Sequence, residues 1–281
     1  MSGLFTYREG MSRSLRRRTG RRLGALATLA TGTTAVLGLV LPLTPATPSA
    51  VARETAPTNA GKVFQWGDSQ WHDGFVTALT RTWKVNRPSL VRNQHGMLTI
   101  NATSASGTVW ARVAGHGQRY GRWEARVRAE QYSADRTPYH VMWELVPTSG
   151  YRCGARSIVL ADYPLGSSEA RMHVRNLPGA DFTTSKALDL RPGPFHTYAV
   201  EVTPDHVSWF VDTQVVMTER RPEALTGATY DVRFRLAGTP GATMNPGRMQ
   251  MDWVRYYTLA RPGARSIEAP QASRGEYAAA C

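Results

Sequence analysis

Cysteine is scarce in this chain of 281 residues: there are two, Cys153 and the terminal Cys281. Neither belongs to a Cys/His cluster with ligand spacing, so no metal site and no cofactor is implied. In an oxidising compartment the two can pair and pin the tail to the body, if they lie within bridging distance. Lysine is nearly as rare. Only Lys62, Lys84 and Lys186 are present, and the formal net charge of +13 is carried by arginine. Those arginines are spread along the chain rather than gathered on one element, which argues against a nucleic-acid partner. Long apolar runs are missing too. The densest, residues 35–43, falls well short of the ~20 residues a membrane span requires. No internal repeat and no long helical period is visible.

What is present begins with a targeting pattern. Arg16, Arg17, Arg18, Arg21 and Arg22 precede an uncharged run over residues 23–52, which closes on the small-residue triplet Ala50-Val51-Ala52. A basic n-region, an apolar h-region and such a triplet predict a secretory signal over residues 1–52, cleaved before Arg53. Membrane contact is then limited to the uncleaved signal segment. Arg21-Arg22 permits the twin-arginine route. No Cys follows the h-region, which disfavours a lipid anchor, and Met11 is an alternative start. Without residues 1–52 the chain holds 27 basic and 20 acidic residues, a formal +7.

Residues 53–63 read as a polar linker, and from 64 to 259 the pattern is period two almost throughout, as half-buried strands require. In "YGRWEARVRAE" Gly121, Trp123, Ala125, Val127 and Ala129 share one face. Tyr198, Val200 and Val202 lead through "TPDH" into Val207, Trp209 and Val211, and Val232, Phe234 and Leu236 alternate with polar neighbours. Only "RPEALTG" suggests a helical turn. Short strands separated by Pro and Gly predict an all-β, two-sheet sandwich. The tail, 260–281, has no periodicity and is expected to be unstructured.

Four segments in order, "YGRWEARVR", "YHVMWELVP", "FHTYAVEVTPDHVSWFVDTQVV" and "MQMDWVRYY", resemble glycoside hydrolase family 16, the laminarinase and lichenase group of β-glycan hydrolases. The resemblance implies a concanavalin A-like jelly roll of two curved antiparallel sheets, with a glycan cleft on the concave face. In that family the strand after the Trp-bearing one carries E-x-D-x-E, or E-x-D-x-x-E with a β-bulge. Alternation sends all three carboxylates to one face, and a retaining pair stands about 5–5.5 Å apart across the scissile bond.

Here the corresponding strand lies in "CGARSIVLADYPLG". The bulged register puts the three positions on Ser157, Val159 and Asp162; the unbulged one puts them on Ile158, Leu160 and Asp162. Either way only the acid/base position keeps a carboxylate, shortened by one methylene, about 1.5 Å. A displacement of about 1 Å can cost ~100-fold, and Ser157 has no adjacent base in the local sequence to activate it. Asp162 is equally readable as a cap on the "DYPLG" turn. An inverting route needs a second carboxylate about 6.5–9.5 Å away, and Glu144 is the nearest candidate, with a solvent-facing charge as its plainer reading. Misalignment of the strand would shift attention to Asp135 or Glu130.

The resemblance also places His173 in the cleft. Arg171 and Arg175 share its face, unless that face is simply the polar outside of a sheet. Two guanidinium forks beside a histidine suit sulfate or carboxylate groups, so the expected partner is a polysaccharide, and an anionic one. Trp143 and Trp110 are the candidate sugar platforms, although a strand Trp more often belongs to a core. The expected function is a secreted β-glycan-binding protein on a hydrolase scaffold, a pseudoenzyme. The alternatives are an endo-β-glycan hydrolase using Asp162 with a rearranged second carboxylate, and an adhesion or envelope-structural module without a sugar ligand.

Overall fold

A computed structural model describes residues 58–150, 156–176, 179–191, 193–261 and 268–276. Residues 1–52, where a signal is expected, and both cysteines lie outside the described residues. Two antiparallel sheets face each other. The first runs β13 (Gln214–Glu219), β12 (Val207–Val211), β11 (His196–Val202), β6 (Gly121–Gln131), β15 (Gly247–Tyr257), β4 (Leu98–Ala102) and β3 (Val91–Asn93), with β1 (Trp71–Asp73) also on β15. The second runs β16 (Ser273–Glu276), β10 (Ala180–Ala187), β9 (Glu169–Asn176), β8 (Ser157–Pro164), β7 (His140–Pro147), β14 (Tyr230–Ala237), β5 (Val109–Val113) and β2 (Trp83–Val85).

The alternation read from the sequence decides which side chains meet between the sheets. Trp123, Ala125, Val127 and Ala129 of β6, Tyr198, Val200 and Val202 of β11, and Val232, Phe234 and Leu236 of β14 are all buried in one core. "RPEALTG" supplies a single 3-10 turn, Pro222–Ala224.

Two expectations are corrected. The linker is not featureless, because Asn59 caps a short helix, α1 (Ala60–Val63), by accepting a bond from the Lys62 N–H. Ala60, Trp66, Ala199, Phe210 and Tyr257 form a second apolar cluster there, on the outside of the first sheet. The tail is not without structure either. Residues 273–276 pair with β10, Ala272 joins the core, and the Thr218 N–H donates to the Pro270 carbonyl at 2.8 Å. The segment shows no alternation because its strand residues are all exposed. What recruits it is the open edge of β10, whose unpaired backbone groups need partners.

Candidate functional site

The strand β8 is bulged. Glu144 of β7 pairs with Val159, but Trp143 pairs with Ala161, so Leu160 is the extra residue. On the other side Val159 pairs with His173 and Asp162 with Arg171, again with a register shift between them. Leu160 and Ala161 both turn into the core, and Ser157, Val159 and Asp162 therefore share the outer face. The bulge leaves the Val159 carbonyl needing a donor, and the indole Nε1–H of Trp209 supplies it from the opposite sheet at 2.9 Å.

Alternation and register then build that outer face strand by strand. It carries Trp110 and Arg112 on β5, and Asp231, Arg233 and Arg235 on β14. It continues through His140, Met142 and Glu144 on β7, Asp162 on β8, Arg171, His173 and Arg175 on β9, and Asp181 on β10. Asp135 and Glu130 are not part of it. Asp135 is an exposed residue between β6 and β7 with Arg136 at 3.5 Å, and Glu130 lies on β6, in the other sheet.

Asp162 is in the strand, not a turn cap, and it sits between two imidazoles. His140 Nδ1 is 3.1 Å from its Oδ1 and His173 Nε2 is 3.3 Å from its Oδ2. Burial pushes this carboxyl upward. The hydrogen bonds from His140 and His173, with the field of both rings, outweigh that and hold it well below the usual carboxylate range. A general acid needs the opposite shift, toward the working pH. The two imidazoles favour the carboxylate form of Asp162 instead.

Glu144 is neither solvent-facing nor available. It is 1% exposed and its Oε1 accepts from Arg233 Nε and Arg235 Nε, each at 2.9 Å. Burial pushes its carboxyl up, but the charges and hydrogen bonds of Arg235 and Arg233 prevail and hold it below its ordinary value. Such a carboxylate is a counter-ion for two guanidiniums.

The remaining candidates divide. Trp143 is 0% exposed, stacked on Phe234 with ring centroids 5.8 Å apart inside the sandwich, so no sugar reaches it. Its parity in β7 is that of Val141 and Leu145, the core residues. His173 is on the outer face as expected but 0% exposed, with Asp162 on one nitrogen and Asp181 Oδ1 3.4 Å from the other. Its two ring nitrogens thus face carboxylates on either side. Trp110 is half-buried on the outer face. Arg171 is half exposed, with Asp181 Oδ2 at 3.9 Å, and Arg175 is more covered and 4.0 Å from Asp181 Oδ1.

The sequence reading missed His140, Asp181 and the pair Arg233 and Arg235. His140 was within reach, since it shares parity with Glu144 in "HVMWE". The others became neighbours only through strand order, which no local pattern announces.

No family profile and no curated protein matches the chain. Solved structures do. A laminarinase from Rhodothermus marinus aligns at 20% identity and a TM-score of 0.56, over 68% of this chain and 97% of that one. A non-specific endo-β-1,3(4)-glucanase of family GH16, SCLam, aligns at 16% identity and 0.56, over 68% and 91%. A structure reported with endo-acting O-glycanases of the human gut microbiota aligns at 18% identity and 0.57, over 68% and 100%. The fold is that of the family 16 glycoside hydrolases. The jelly-roll sandwich thus agrees with the sequence resemblance. Among the described residues no helix is long and apolar enough to cross a membrane.

Proposed function

We propose that this chain is a secreted β-glycan-binding protein on a family 16 scaffold, without the family's hydrolysis, and that its ligand is an anionic polysaccharide. The observation that carries the reading is the state of the three positions on β8. Ser157, Val159 and Asp162 share the outer face, only one is a carboxylate, and two imidazoles hold that one ionised. A retaining mechanism has no carboxylate nucleophile here, and an inverting one finds Glu144 neutralised by Arg233 and Arg235. The cationic side chains that remain accessible on this face, Arg171 above all, favour an oxyanion-bearing chain. Trp110 offers an apolar ring at the other end of the face.

Binding measurements on neutral and anionic β-glycans test this at low and high salt. The anionic polymers should bind more tightly at low salt and lose affinity as salt is added. Trp110→Ala should weaken binding about tenfold while leaving the fold intact. Equal affinity for neutral and anionic glycans at low salt would contradict the anionic assignment. Absence of binding to every glycan would contradict the function.

A further inference from the structure

Loss of a nucleophile ends hydrolysis, but one way of breaking a glycan needs neither a nucleophile nor water. In β-elimination a base removes the proton α to a uronate carboxylate, and the bond two carbons away, C4–O, breaks. The site needs a cation to neutralise the carboxylate and a base beside C5. Both are present on this face, one on each side of Asp162.

His140 stands on β7 and Arg171 on β9, with Asp162 of β8 between them. Adjacent strands are about 4.7–4.9 Å apart, so the two flanking strands run roughly 10 Å apart, and His140, opposite Pro164 rather than Asp162, is displaced along them from Arg171. His140 is half exposed, and its Nδ1 lies against Asp162 Oδ1 at 3.1 Å. A carboxylate oxygen can only accept, so in the neutral imidazole Nδ1 donates to Asp162 and the lone pair is on Nε2, for which no partner is found among the described residues. Arg171 is half exposed and 3.9 Å from Asp181 Oδ2, beyond hydrogen-bond length, so its fork has donors to offer a carboxylate. His173, wholly buried, holds the far oxygen of Asp162 in place.

We propose that this face, on the reading that it binds anionic glycans, is a metal-independent β-elimination site for β-linked polyuronates. His140 is its catalytic base, Arg171 neutralises the uronate carboxylate and Asp162 is the positioning residue. His140 Nε2 takes the C5 proton. The C5–H electron pair becomes the C4=C5 double bond as the C4–O bond breaks. The departing glycosidic oxygen takes the proton back from the His140 imidazolium. One chain becomes two, one ending in an unsaturated uronate and the other in a new reducing end, with no water consumed and no redox change. A single imidazole that both removes and returns the proton works on one side of the ring. That suits uronates whose H5 and O4 lie on the same side, of gluco or manno configuration, and not galacturonate.

The test incubates the full chain with a β-linked polyglucuronate, polymannuronate, hyaluronan and polygalacturonate. It follows the ultraviolet absorbance of the unsaturated product, with binding measured on the same polymers. The expected result is growing absorbance with the first three, or a subset of them, and none with polygalacturonate. His140→Ala should lower the rate at least ~100-fold while binding persists. Asp162→Asn should lower kcat with little change in KM, because the tautomer is lost while the surface is kept. Arg171→Ala should raise KM as well. Binding without any unsaturated product overturns the elimination and leaves the binding function standing, whereas no binding overturns both. Turnover that survives His140→Ala, or cleavage of polygalacturonate, overturns the assignment to this imidazole.

Discussion

Replacing Glu144 with Ala removes the buried anion that Arg233 and Arg235 share at 2.9 Å each. Breaking such a pair from one side costs about 3–5 kcal/mol, because guanidinium charge stays behind in a site already stripped of water. For a domain of this size that corresponds to a fall in Tm of roughly 6–20 °C. Thermal unfolding of Glu144→Ala should show it. A variant that melts like the wild type would mean that Glu144 is not the counter-ion described. The same residue shows what a sequence can and cannot reveal. Parity in "HVMWELVP" puts Glu144 and Trp143 on opposite faces, but not which of the two faces is core. The family resemblance makes Trp143 a candidate platform, and the structure puts it with Val141 and Leu145 in the core. The arginines that neutralise Glu144 sit about ninety residues further along the chain, and nothing local could pair them with it.

At the scale of elements, the bulge in β8 and the segment around α1 each have a buried polar group that decides their stability. Trp209→Phe keeps the ring in the core and deletes the donor to the Val159 carbonyl. A buried carbonyl without a partner costs about 1–3 kcal/mol, and denaturant unfolding should register that loss. A wild-type midpoint would mean that the bulge is held by other means. The family motif with its extra residue was legible as one of two registers, and strand pairing chooses the bulged one. Neither Trp209's reach across the core nor the docking of α1 was legible, because each joins elements far apart in the chain.

Beside α1, Glu124 of β6 is buried, accepts from the Gly61 N–H at 3.1 Å and lies against the Tyr257 hydroxyl. Gly61 is required there, since a Cβ would stand 2.8 Å from that hydroxyl. Burial pushes the Glu124 carboxyl up to about 7, against the lowering pull of the Gly61 bond and of Arg255. The folded protein therefore holds this proton more tightly than the unfolded chain. Its contribution is complete below the ordinary value of 4.5 and is lost as pH rises to about 7. Over that window the contribution should decline by about 3 kcal/mol. Glu124→Gln should flatten that part of the stability–pH curve. Equal slopes in variant and wild type between these limits would contradict the buried, protonated state.

For the molecule as a whole, alternation alone was enough to read the class of fold, since Trp123 to Ala129, Tyr198 to Val202 and Val232 to Leu236 all face inward as patterned. The ends were harder. The strand of residues 273–276 is exposed throughout and has no pattern to read, and the docking of Ala60 and Trp66 depends on the far sides of β11, β12 and β15. The proposed function likewise rests on the assembled face: a family 16 fold with Ser157, Val159 and Asp162 on the outer side of β8. The measurement that tests it most directly is reducing-end release by the full chain from neutral and sulfated β-glycans that contain no uronate, with Asp162→Ala alongside. No release is expected from any of them by either protein. Release by the wild type that disappears in Asp162→Ala would contradict the proposed function, because Asp162 would then be a working acid/base rather than an anion held between His140 and His173.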